Sequence, residues 1–176
     1  RRSNRRAVCR SAASASSNCA VRVRLVRATI SDAPAPRASS SASVPLAQAM
    51  DCVFGYTCAN DVTAVDFLTR DPTFAHWVRA KGFDDFLPLG PAIATGLDPS
   101  TLTVKSVLNG HVRQDYPLSD MVFNVAQLVH LLSQGVTLDP GDVILAGTSV
   151  GVGVMKPGST IEITIEGIGT LSNRFE

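Results

Sequence analysis

Three observations predict an α+β domain that is mainly β. The stretch LTVKSVLNGHVRQ holds two alternating runs that meet at Asn109–Gly110, a pair favoured in two-residue hairpin turns because both positions accept positive φ. In TIEITIEGIGTLSNRF, Ile161, Ile163 and Ile165 fall on one face of a strand, with Glu162, Thr164 and Glu166 on the other. Only NVAQLVHLLSQG reads as a clear helix: Asn124 can cap it, Val125, Leu128, Val129 and Leu132 form one apolar stripe, and Gly135 ends it. Many short strands with few helices give an α+β class, and 176 residues suffice for one core.

Taken in order, residues 1–43 are Arg, Ser and Ala with scattered Pro, and only the alternating run Val21, Val23, Leu25, Val26 suggests a strand. The remainder has too little apolar surface to offset its ordering entropy and is expected to be disordered. Order is expected from Ser43, where Ser43 and Pro45 resemble a helix start, with VPLAQAMDCVFG running to Gly55. VFGYTCANDVTAVDF predicts a strand leading into a short helix, and TFAHWVRAKGF a helical turn ending at Gly82. Asp139-Pro140-Gly141-Asp142 and Lys156-Pro157-Gly158 are turns that precede strands. The expected division is therefore an Arg-rich segment, 1–43, and a folded domain, 44–176.

Charge divides the chain at the same place. Residues 1–43 carry nine Arg against the single acid Asp32, a net charge of +8, whereas residues 44–176 hold seven basic residues against fourteen acids, a net of −7. Arg- and Ser-rich, acid-poor sequence suits an organelle transit peptide, and a GC-rich reading frame mistranslated would also yield it. A nucleic-acid arm is disfavoured, because no aromatic residues are interleaved with the arginines. No apolar run is long enough to span a membrane. The four cysteines, Cys9, Cys19, Cys52 and Cys58, lack C-x-x-C spacing, which argues against zinc and for a reducing compartment, cytoplasmic or mitochondrial. Cys52 and Cys58 are expected to be small core residues.

Several segments then fall into one pattern. GYTCANDVTA, the RAKGFDDFLPLGP block, NGHVRQD, SDMVF, LDPGDVILAGT, GVG and IEGIGTLSNR stand in an order and at a spacing that resemble the C-terminal catalytic domain of the fumarylacetoacetate hydrolase family, over about residues 44–176. The resemblance implies a mixed β-roll with small flanking helices, a homodimer, and a short 2-oxo or 1,3-dicarbonyl acid as substrate. It also implies a divalent cation, Mg²⁺ with Mn²⁺ or Ca²⁺ as alternatives, that stabilises an enolate as a Lewis acid. By this resemblance Asp61 is the metal-binding aspartate, Lys81 the active-site lysine, and Gly147 with Thr148 the substrate-binding pair. Glycines at 147, 151 and 153 would let backbone approach a ligand.

The chain also departs from that pattern. The family's Glu-x-Glu pair, which supplies two further carboxylate ligands, would fall in Ala20–Ser31, yet no acid occurs before Asp32 and the first Glu is Glu162. The family's Thr-Ala-Arg-Asp-x-Gln is here Thr63-Ala64-Val65-Asp66-Phe67-Leu68, so the Arg and Gln positions are apolar. Leu87 and Ser149 are further changes, both tolerable. The upstream lid with its His-Glu dyad has no counterpart, and His76, His111 and His130 do not replace it by motif. The expectation is a hydrolase or isomerase of the family, impaired in this chain, in which a cation is held weakly at best. The alternatives are a non-catalytic family member and a basic-armed binding protein.

Overall fold

β-branched and aromatic residues alternate with polar ones through most of the chain, and the resulting architecture is dominated by strands. The computed structural model describes residues 43–176 and, before them, only the strands β1 (Ala7–Cys9), β2 (Cys19–Val21) and β3 (Val23–Ala28). Of the expected alternating run, Val21 ends β2 and Val23, Leu25 and Val26 lie in β3. Ala7–Cys9 and the other residues of β2 and β3 are strand where disorder is expected, and the remaining residues before 43 lie outside the described residues.

Next comes a 3₁₀ helix, Leu46–Cys52, capped by Pro45 and not by Ser43. Strand β4 (Gly55–Asn60), strand β5 (Thr63–Ala64) and helix α1 (Val65–Leu68) follow in the anticipated sequence. Helix α2 (Trp77–Lys81) ends at Gly82. Strand β6 (Leu89–Ala94) was not foreseen; it has only partial burial and two glycine or proline positions, so it carries no alternation to read. The hairpin is β7 (Thr103–Leu108) and β8 (His111–Pro117), with Asn109 at φ 50° and Gly110 at φ 80° as its turn requires. Helix α3 (Val125–Ser133) precedes β9 (Val143–Leu145), β10 (Gly153–Met155), β11 (Thr160–Ile165) and β12 (Gly169–Phe175).

The strands form three sheets: a five-stranded one in the order β1-β12-β11-β7-β8, a four-stranded one in the order β6-β4-β3-β9, and a small one, β10-β2-β5. β1 runs parallel to β12 and the other pairings are antiparallel, so the five-stranded sheet is mixed and the other two are antiparallel. Strands preceding residue 43 pair with strands that follow it: β3 lies between β4 and β9.

The inner faces of the two larger sheets make the core. Ile161, Ile163 and Ile165 are all at most 1% exposed and pack with Val104, Tyr56, Cys58, Leu171 and Phe175. Each such buried side chain stabilises the fold by roughly 1.5–3 kcal/mol. The sheets meet closely at Cys58, whose thiol donates to the Gly169 carbonyl at 3.6 Å.

Helix α3 forms a second, smaller core against the 3₁₀ helix, through Val129, Ala49 and Ile144. Its apolar stripe is narrower than the sequence suggests. Val125 and Val129 are buried, but Leu132 is 42% exposed, because the helix rests on a short 3₁₀ segment that covers only its first two turns. His130 closes this contact: its Nδ1 lies 2.8 Å from the Val44 carbonyl, while Ser133 Oγ accepts from Val44 N–H at 3.0 Å. Among the described residues, no helix is long and apolar enough to cross a membrane.

Candidate functional site

Strand β4 is buried along its whole length and delivers Asp61 at its end, where the Val62 amide turns back onto the Asn60 carbonyl at 3.0 Å. Asp61 is 2% exposed and Thr63 1% exposed. Across from them, α2 presents Lys81 at its C-terminus, the helix end at which a cation is favoured. Lys81 Nζ donates to Asp61 Oδ2 and, at 3.1 Å, to Thr63 Oγ1. The Lys81 side chain remains 25% exposed, whereas that of Asp61 is 3% exposed.

The segment between Asp61 and Lys81 is held by aromatic packing. Phe67 meets Phe83 edge-on with centroids 4.9 Å apart, Phe83 lies 5.3 Å from Phe86, and the Arg70 guanidinium covers Phe67 at 4.2 Å. Val65 and Leu68, the apolar replacements of the family's Arg and Gln, are both half-buried on α1. The structure therefore fills that neighbourhood with apolar and aromatic contacts.

Thr148 stands elsewhere, in the loop after β9. With Gly147 it walls a cavity of about 240 Å³ whose other sides are Tyr116, Leu118, Met121, Phe123 and Leu128. Asp61 and Lys81 are not among the lining residues. The four residues singled out by sequence thus fall into two places: Asp61 with Lys81, and Gly147 with Thr148.

Two residues of these sites were not foreseen. Thr63 is the second anchor of Lys81. Gln114 is 3% exposed and reaches Thr148 through its amide, donating from Nε2 to Thr148 Oγ1 at 3.0 Å. A signal for Gln114 does exist in the sequence. Strand parity puts it on the inward side of β8, directly across from Ser106, so that two polar side chains occupy facing core positions.

The residues present do not fit a tightly held cation. Among the described residues no three His, Cys, Asp or Glu side chains come together, and Asp61 already receives the Lys81 ammonium. The adjoining strands add nothing acidic: Thr63 pairs with Ala20 and Asn60 with Val23, so the sequence running alongside is Ala-Val-Arg-Val. Hard divalent cations need several oxygen donors.

Comparison with known proteins agrees with the motifs. The family described as Fumarylacetoacetate (FAA) hydrolase C-terminal matches residues 37–176. An uncharacterized protein of Archaeoglobus fulgidus is 48% identical over 131 residues, 74% of this chain and 51% of that protein. The oxaloacetate tautomerase YisK of Bacillus subtilis is 40% identical over 137 residues, 72% of this chain and 44% of that protein. Among solved structures, a 5-carboxymethyl-2-hydroxymuconate delta-isomerase from Mycobacterium smegmatis superposes with a TM-score of 0.82 at 38% identity, over 97% of this chain and 62% of that one. A fumarylpyruvate hydrolase from Pseudomonas aeruginosa, solved with Mn²⁺ and pyruvate, gives a TM-score of 0.83 at 27% identity, over 97% and 70%. The chain spans about half the length of the curated relatives it matches. The chain belongs to the fumarylacetoacetate hydrolase family, and the match is to that family's C-terminal domain.

Proposed function

We propose that this chain is a hydrolase or isomerase of short 2-oxo or 1,3-dicarbonyl acids whose turnover is impaired. The observation that carries the reading is the Lys81 ammonium, anchored by Asp61 and Thr63 yet partly open to solvent. Such a charge, fixed before substrate arrives, stabilises an enolate oxygen as negative charge develops on it. Thr148, in its largely apolar pocket, suits the substrate carboxylate.

Impairment follows from the same geometry. Among the described residues Asp61 belongs to no group of three His, Cys, Asp or Glu and is already engaged by an ammonium, so Mg²⁺, Mn²⁺ or Ca²⁺ would bind weakly. That engagement also favours a second reading, a non-catalytic family member that keeps the fold.

Deuterium exchange at C3 of pyruvate and oxaloacetate, followed by NMR with Mg²⁺ present, distinguishes them. Slow exchange above the buffer rate, abolished in Lys81→Met, is the expected result. Exchange no faster than buffer would leave the non-catalytic reading, and brisk exchange that survives Lys81→Met would remove Lys81 from the reaction.

A further inference from the structure

We propose that Gln114 is a positioning residue that sets the hydrogen-bond polarity of Thr148, so that the cavity beside it selects an anionic oxygen. The inference deepens the reading of Thr148 given above and rests on it for the identity of the ligand.

The argument starts from which atom can donate. Gln114 Nε2 faces three oxygens: Thr148 Oγ1 at 3.0 Å, the Ser149 carbonyl at 3.0 Å and Ser149 Oγ at 3.1 Å. A backbone carbonyl only accepts, so the side of the carboxamide facing it must be the NH₂. The opposite end is compatible with this, because the Ser106 hydroxyl can donate to Gln114 Oε1, 3.2 Å away. The Ser149 carbonyl therefore sets the amide orientation, inside a core where Gln114 is 3% and Ser106 1% exposed. The two amide protons are shared among these three oxygens. Since Nε2 cannot accept, Thr148 Oγ1 can only be an acceptor toward it, which leaves the hydroxyl's own proton to give away. Among the described residues no group accepts that proton, whereas Ser149 Oγ uses its own on the Val150 carbonyl at 2.9 Å.

The loop carrying Thr148 is also locked in place. A Cβ at Gly151 would lie 2.0 Å from the Arg113 carbonyl oxygen, so the chain past Thr148 lies flush against β8 beside Gln114. Thr148 thus meets a ligand as a pre-oriented donor in a pocket lined mostly by apolar side chains, with Tyr116, Asp120 and Ser149 the other polar ones. Such a site favours a carboxylate or enolate oxygen over a neutral donor group. Asp120 is the one charged side chain in the lining, and it is exposed, where water and salt screen it.

A double-mutant cycle read by saturation-transfer NMR with pyruvate tests the assignment. Gln114→Met and Thr148→Val should each weaken pyruvate about tenfold, the worth of one hydrogen bond to a charged group. The double variant should be no weaker than the worse single one, because both remove the same interaction. Unchanged affinity in Gln114→Met, or two losses that multiply independently, would overturn the proposal. Ser106→Ala releases the far end of the amide without touching the cavity, and it should weaken pyruvate as well; if Gln114→Met does not fold, an unaltered Ser106→Ala affinity overturns the proposal. Should the native chain take up no pyruvate, the functional reading of Thr148 fails. Amide hydrogen exchange over Gly147–Val150 then decides the role of Gln114: faster exchange in Gln114→Met supports the lock, and unchanged exchange refutes it.

Discussion

At the scale of single residues, the geometry makes two sharp predictions. Gly151, at φ 97° and with no room for a Cβ beside Arg113, cannot be replaced. Gly151→Ala should cost at least about 3 kcal/mol in urea unfolding, as strained backbone and a backbone clash combine. Gly110 has a similar φ of 80° but open space around it, so Gly110→Ala should cost only about 1–2 kcal/mol. The second concerns Cys58, which is fully buried and whose thiol is pushed up to about 11 from 9.0 by that burial. Between those values the folded chain keeps a proton that the unfolded chain has lost, so stability falls as pH rises. The fall should reach roughly 2–3 kcal/mol once pH passes about 11. Cys58→Ala should remove this alkaline loss, measured as the unfolding free energy from neutral pH upward. Motifs pointed to Asp61, Lys81 and Thr148 as candidates, but not to Thr63 or Gln114. Strand parity marks Gln114 as inward-facing but does not name Thr148 as its partner, and Thr63, though two residues from Asp61, meets Lys81 only once α2 has packed beside it.

Among elements, α3 carries the clearest local logic. Asn124 Oδ1 accepts from the Gln127 amide at 2.9 Å, and Gln127 Oε1 accepts from the Asn124 amide at 2.9 Å, a complete capping box. Asn124→Ala should therefore lower stability by about 1 kcal/mol, seen as an earlier urea midpoint with an unchanged slope. Elements of this kind were legible because their signals are local: the Asn109–Gly110 turn, the Ile161–Ile163–Ile165 alternation, the stop at Gly82. Strand β6 was not, since LGPAIA has neither alternation nor strong β-propensity and owes its strand to pairing with β4. The exposed side of α3 was misjudged for a related reason. Whether Leu132 is covered depends on the length of the 3₁₀ segment opposite, which periodicity in α3 cannot report.

For the whole molecule, the family fold persists, while among the described residues no three His, Cys, Asp or Glu side chains come together. The sheets, the core and the motif loops agree with solved relatives at TM-scores of 0.82 and 0.83. Yet the sequence beside Asp61 is free of acids, and the carboxylate itself is bound to Lys81. Exposed Val112, Val150, Val152 and Val154 leave apolar surface around the edge near β8 and β10. We propose that a second copy covers such surface, and sedimentation equilibrium should give twice the chain mass, with a monomer contradicting it.

The account rests most heavily on the claim that a lone, already paired carboxylate cannot cage a cation. Calorimetric titration of the chain with MgCl₂, repeated on Asp61→Ala, addresses it directly. The account predicts only weak heats, at best millimolar binding, in both proteins. Micromolar affinity in the native chain that disappears in Asp61→Ala would contradict it.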